Sequence, residues 1–188
     1  PRRFVELGTH YGASFFAYCQ AAQKIGFETE AVAVDCWAGD DHTRAYGEEV
    51  FAEFGYYLRR FDEVGTYIRD YFDNAVEQFA DGSIDLLRID GLHTYDAVKH
   101  DFETWLPKMS DRGVVMFHDI KGHDQEFEVW RYWREIRDDY PSLEFGHSHG
   151  LGIIITGSQA DHPLRPLIQM VDDQPRSEEH TLNSSHSS

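Results

Sequence analysis

An α/β fold, with a mostly parallel sheet covered by helices on both faces, is the architecture this sequence predicts. Three observations carry the prediction. Short apolar runs alternate with segments of helical periodicity along most of the chain. Successive runs end in a glycine, an aspartate or a histidine, as strand ends do where they open into functional loops. Hydrophobic residues make up 41% of the chain and aromatics 14%, enough for a packed core. Strands that alternate with helices pair in parallel and are wrapped on both faces.

The first run, Phe4 to Leu7, reads as a strand ending at Gly8. From Gly12 to Ile25 apolar residues recur at helical spacing (Phe15, Phe16, Cys19, Ala22), and Gly26 stands where a C-cap would. Ala31 to Val34 is a second buried strand ending at Asp35. The pattern from Thr43 to Arg60 predicts a helix with Val50, Phe51, Phe54 and Leu58 on one face. Gly65 to Arg69 is a strand, and Asp73 to Phe79 a short helix closed by Asp81-Gly82. Ile84 to Ile89 is a strand ending at Asp90; Thr94 caps the next helix, which Pro107 ends. Gly113 to Phe117 ends at His118-Asp119, and a Trp/Tyr-rich helix is expected over 127–140. Leu143 to Gly146 and Leu151 to Thr156 are close enough to form an antiparallel hairpin.

A chain of 188 residues suffices for one domain. Its formal net charge of -17 repels phosphate backbones and anionic lipid, so neither nucleic acid nor a membrane surface is an expected partner. No apolar run has the length of a membrane span, and no signal peptide opens the chain. Cys19 and Cys36 have no CxxC spacing and read as buried thiols of a reducing, cytoplasmic compartment. The domain is expected over 1–158, truncated at its N-terminus, with a C-terminal extension over 159–175. Residues 176–188 (RSEEHTLNSSHSS) lack periodicity and read as a non-native, disordered tail.

In a parallel sheet, ligands bind beyond the carboxyl ends of the strands. After the first strand the sequence is Glu6-Leu7-Gly8-Thr9-His10-Tyr11-Gly12, an E-x-G-x-x-x-G pattern. A dinucleotide fingerprint would have glycine where His10 stands. A cofactor without a pyrophosphate fits better, and S-adenosylmethionine (SAM) is one. Glu6, Gly8, Thr9 and Gly12 are its candidate binding residues, with Asp35 as acceptor for the ribose hydroxyls. Glycines that only permit a sharp turn, and an aspartate that only caps a loop, are the plainer interpretation of each signal taken alone.

The loops after the fourth and fifth strands carry Asp90, His93, His118 and Asp119. Neighbouring parallel strands would bring these four into one crevice. Asp90, His118 and Asp119 are candidate ligands of a divalent cation, and His93 is the candidate general base for a substrate hydroxyl. Helix capping and core hydrogen bonding are the structural alternatives for the same residues.

The blocks VELGTHYG, AVDCW, GDDHTRAYGEEVF, IDLLRIDGLHTYDAVKHDF and LPKMSDRGVVMFHD resemble the family-24-type class I SAM-dependent methyltransferase domains of bacterial proteins. The resemblance runs from Phe4 to Gly157. It implies a Rossmann-like, seven-stranded sheet with an antiparallel last strand, and it implies association with a glycosyltransferase. Asp90, His93 and Asp119 are also similar, more distantly, to the pattern of metal-dependent macrolide-sugar O-methyltransferases, in which the equivalents bind Mg²⁺ and supply the base. His118 stands where that pattern has an acidic ligand, which shifts the preference toward Mn²⁺.

The expected function is therefore SAM-dependent O-methylation of a sugar or glycan-like hydroxyl, assisted by Mg²⁺ or Mn²⁺. Two rivals remain open in the sequence: a catalytically degenerate binding domain of a larger glycosyltransferase protein, and a nicotinamide-dependent oxidoreductase.

Overall fold

The computed structural model describes residues 1–39, 47–122, 127–158 and 161–172. Seven strands form one sheet: β1 (Arg3–Leu7), β2 (Glu30–Asp35), β3 (Gly65–Arg69), β4 (Ile84–Ile89), β5 (Met109–His118), β6 (Ser142–Phe145) and β7 (Leu151–Ile155). Their order is β3-β2-β1-β4-β5-β7-β6. The first five are parallel, and β7 runs antiparallel to both β5 and β6. The predicted sheet and its terminal hairpin are thus both present.

Helices α1 (Ala13–Ile25), α2 (Glu48–Leu58), α3 (Phe72–Ala75), α4 (Tyr95–Trp105), α5 (Val129–Ile136) and α6 (Arg165–Asp172) connect or flank the strands. Alternation along each strand divides the core in two. Phe4, Ala31 and Ala33 pack with Phe15, Cys19, Trp37, Val50 and Phe54, on the face covered by α1 and α2. Val5, Leu7, Leu87, Ile89 and Phe117 pack with Phe102, Trp105, Tyr132 and Trp133, on the face covered by α4 and α5. Each large side chain buried there contributes roughly 1.5–3 kcal/mol.

Several bounds differ from the sequence pattern, each for a local reason. The predicted helix over 43–60 is α2 from Glu48; positions 43–46 lie outside the described residues. The helix expected over 127–140 is shorter. The Glu128 N–H bonds to His93 O at 2.8 Å, which ties Glu128 to the crevice, and Pro141 disfavours helical backbone at Tyr140. The predicted helix over 73–79 is four residues of α-helix followed by a 3₁₀ turn, Val76–Gln78. Strand β5 begins at Met109 rather than Gly113. Ser110 and Arg112 are polar, yet both bond Asp85 of β4 (2.6 and 2.8 Å), and a register shift between Ile84 and Leu86 absorbs the extra residues. Thr94 caps α4 through Ala97 N, and Gly26 closes α1 in the left-handed region, both as expected.

The C-terminal segment holds α6, whose Ile168 is buried against Leu143 and Ile155. The expected tail over 176–188 lies outside the described residues. No helix among the described residues is long and apolar enough to cross a membrane. Both cysteines are free thiols, and burial pushes Cys19 up to about 12.

Candidate active site

From β1 the chain proceeds outward through β2 and β3 on one side, then returns to place β4 and β5 on the other. The gap between the loops after β1 and β4 is therefore the topological switch point, where ligands bind in such sheets. Register aligns the strand ends: Leu7 lies beside Val34 and Ile89, and Ile89 beside Phe117. At Gly8 (φ +83°) a Cβ would lie 2.1 Å from the Asp90 carbonyl oxygen, so only glycine allows the two loops to meet this closely.

A cavity of about 220 Å³ opens there, lined among others by Gly8, His10, Asp35, Phe72, Gly91 and His93. Asp35 is buried at its edge. Its carboxylate accepts the His10 N–H (2.8 Å) on one oxygen and the Trp37 N–H (2.7 Å) on the other. Each oxygen can accept a further hydrogen bond and Asp35 lines the cavity, so it both joins two loops and offers an acceptor. Trp37 is a core residue: it packs on Phe51 and Phe54 and donates its indole N–H to His10 O.

The other residues of the first loop shape the cavity without lining it. Glu6 is fully buried on the α1 face, where its carboxylate accepts bonds from Ser14 (2.6 Å) and Arg88 (3.0 Å). Burial pushes this carboxyl up to about 7 despite those partners. Thr9 is buried near it, and Gly12 is the N-cap of α1.

Asp90, His93, His118 and Asp119 do converge. Each offers one ligand atom, and these atoms all lie within 4.8 Å of one another. His93 Nε2 is 3.0 Å from Asp119 Oδ2 and 3.5 Å from Asp90 Oδ1. His118 Nδ1 is 2.9 Å from Asp119 Oδ1 and 3.1 Å from Asp90 Oδ1. Burial opposes ionisation of both aspartates, but the adjoining imidazoles outweigh it and hold both carboxyls well below the usual range. The same contacts act on the imidazoles. Asp119 and Asp90 push His118 up to about 9, and they push His93 to about 9 against its burial.

The donor set fits a cation. His118 Nδ1 and Asp119 Oδ1 are buried and make no hydrogen bond, although they are neighbours. At 2.9 Å they are close enough to share one ion between the imidazole nitrogen and the carboxylate oxygen. Ligands about 2.1 Å from one ion lie roughly 3 to 4.2 Å apart; the imidazole–carboxylate spacings here are 2.9 to 3.5 Å, and all four ligand atoms lie within 4.8 Å of one another. Imidazole beside carboxylate suits Mn²⁺ and its neighbours better than Mg²⁺.

Three further residues border the site. Arg88 bonds Asp90 Oδ2 at 2.7 Å; an arginine two positions before Asp90 in a largely apolar strand is its signal. Phe127 stacks on His93, with centroids 4.6 Å apart. His149 reaches Asp119 from the β6–β7 turn. Neither Phe127 nor His149 stands out in the sequence, because only the folded loops bring them here. All four non-glycine residues with positive φ among the described residues, His10, Trp37, Asp119 and Ser148, lie on loops around this site. Such backbone costs of order 1–3 kcal/mol each and tends to cluster at functional positions.

Comparison with known proteins bears on the family and the fold. The profile of a family described as "Methyltransferase domain" matches residues 5–120. An uncharacterized protein, y4gI of Sinorhizobium fredii, is 43% identical over 176 residues, which is 94% of this chain and 19% of that protein. The chain thus spans about a fifth of that relative's length. Among solved structures, the Podospora anserina methyltransferase PaMTH1, bound to SAH, has a TM-score of 0.61 at 15% identity, over 82% of this chain and 71% of that one. The O-methyltransferase TomG of Streptomyces achromogenes, in complex with SAM, has a TM-score of 0.56 at 12% identity, over 83% and 74%. These likenesses are of fold, and the profile match extends over more than half of the sequence. The chain belongs to the methyltransferase-domain family and has the Rossmann-like fold of the class I methyltransferases.

Proposed function

We propose that this domain transfers the methyl group of SAM to a hydroxyl of a sugar or glycan-like acceptor, with His93 receiving the proton. One observation carries the reading: His93 lines the cofactor cavity and also stands 3.0 Å from Asp119, so a single side chain joins the cavity to the acidic cluster. In the reaction the acceptor oxygen forms a bond to the methyl carbon while the carbon–sulfur bond breaks. The sulfur leaves as the neutral thioether of SAH, and the hydroxyl proton passes to His93. Asp35 is the acceptor for the ribose, and Gly8 lets the backbone approach the cofactor. Positioning for in-line transfer supplies most of the acceleration.

Asp90, His118 and Asp119 are the residues that would hold a divalent cation. When bound, such an ion supplies Lewis acidity that lowers the pKa of an acceptor hydroxyl. It also bears on His93. Against its burial, the carboxylates of Asp119 and Asp90 push His93 up to about 9; a cation held on those carboxylates would offset their charge and leave the imidazole neutral, able to take up a proton. A relative five times as long, containing a segment like this one, supports a multidomain setting, in which we place a glycosyltransferase partner and a cytoplasmic location.

Titration calorimetry with SAM and SAH, with and without Mn²⁺, tests the cofactor part. Tighter binding of NAD than of SAM would sink it. Incubation with methyl-labelled SAM and a panel of sugars tests the reaction. Label should enter sugar hydroxyls with the wild type and be reduced at least a hundredfold by His93→Ala, the usual size of general-base catalysis. Equal labelling by the two proteins would remove His93 from the mechanism.

A further inference from the structure

We propose that His149, on the β6–β7 turn, is a positioning residue of the cation site, holding Asp119 through its Oδ1 from the solvent side. The inference rests on the cation reading above. His149 Nδ1 lies 3.8 Å from Asp119 Oδ1, the same oxygen that is 2.9 Å from His118 Nδ1. With His93 against Oδ2, the Asp119 carboxylate is bordered by three imidazoles from three separate segments. Asp119 itself is 5% exposed, and its Oδ1 makes no hydrogen bond among the described residues.

The turn is built to hold His149 there. Asp119 N–H bonds Gly150 O (3.0 Å), and Lys121 N–H bonds His149 O (2.7 Å), so two backbone bonds staple the turn to the segment that carries Asp119. The approach requires Gly150: at φ +84° a Cβ would lie 2.8 Å from Lys121 Cγ and 2.9 Å from Ile120 Cγ1. Ser148 (φ +55°) and Asp119 (φ +60°) both hold left-handed backbone on either side of this junction. Phe127 stacks on His93 (centroids 4.6 Å apart) and is 6.5 Å from the His149 ring, its plane within 30° of each, so one ring contacts both imidazoles. A terminal hairpin that only closed the sheet would need none of this docking. Residues that orient a metal's ligands from outside contribute ten- to a hundredfold in affinity.

The test uses Mn²⁺ alone, followed by its electron paramagnetic resonance signal and by calorimetry, on the whole chain. His149→Ala is expected to weaken Mn²⁺ binding ten- to a hundredfold while melting temperature and SAM affinity stay at wild-type values. The His149 side chain is 65% exposed, so the fold does not depend on it. His149→Gln, whose amide is polar and long enough to stand beside Asp119, should recover part of the affinity. His147→Ala, on the same turn, should bind Mn²⁺ within twofold of wild type. If His149→Ala binds Mn²⁺ like the wild type while Asp119→Asn does not bind, the role of His149 is refuted and the cation site stands. If the wild type binds no Mn²⁺, both fall.

Discussion

Glu6 on β1 and Asp90 just past the end of β4 are joined through one guanidinium nitrogen: Arg88 Nη1 donates to Glu6 Oε1 at 3.0 Å and to Asp90 Oδ2 at 2.7 Å. The first contact is deep in the core beneath the cofactor loop, and the second is at the floor of the acid–histidine cluster. Arg88 therefore fixes the relative height of the two halves of the site. Arg88→Met should cost about 3–5 kcal/mol, because it strands a buried carboxylate. Glu6 can escape by taking up a proton, so the loss should be larger at pH 8 than at pH 5. Denaturant melts of the two proteins at both pH values check this; a loss under 1 kcal/mol at pH 8 would make the pair energetically idle.

Asp35 has two tasks that one substitution can separate. Asp35→Asn keeps an oxygen for one loop N–H but presents an amide to the other. Asp35→Ala frees both His10 N–H and Trp37 N–H. The alanine variant should therefore lose stability, by about 1–3 kcal/mol per stranded donor, in addition to losing SAM affinity. A variant that binds SAM more weakly at an unchanged melting temperature would leave Asp35 as a ribose acceptor alone.

Gly8 admits no side chain. Gly8→Ala sets a Cβ against the Asp90 carbonyl and imposes left-handed backbone on an L-residue, a strain of about 1–2 kcal/mol before the clash is counted. The loops after β1 and β4 must part, so SAM binding by calorimetry should be lost. Retained binding would show that the cavity tolerates a wider opening.

The strand ends were legible because an apolar run that stops at Gly8, Asp35, Asp90 or His118 leaves little room for another interpretation. Parallel pairing then brings those positions together without any knowledge of the loops. Arg88 was less legible, since an arginine in IDLLRI does not announce that it points at Glu6. His149 and Phe127 were hidden for a different reason. They reach the site through the β6–β7 turn and the segment before α5, whose paths depend on tertiary bonds such as Glu128 N–H to His93 O. The start of β5 was masked by Ser110 and Arg112, polar residues whose partner, Asp85, is 25 or more positions away.

Asp101 gives the fold a pH dependence that the mechanism does not use. It is on α4, buried behind the cavity wall, where a Cβ on Gly91 would lie 3.3 Å from its Oδ2. Burial pushes its carboxyl up to about 7; His100 opposes the shift and Asp73 adds to it. The folded protein therefore holds a proton that the unfolded chain releases near the ordinary carboxylate value of about 4. Between those values the folded state binds more protons, so wild-type stability falls as pH rises through the window and levels off above it. Each unit is worth about 1.4 kcal/mol. Asp101→Asn has no proton to lose. Its melting temperature relative to wild type should climb from pH 4 to pH 7 and then stay constant. Glu6 titrates in both proteins and cancels in the difference. A gap that is flat across the window would mean that Asp101 is ionised in the folded state and has a partner that its buried surroundings do not reveal.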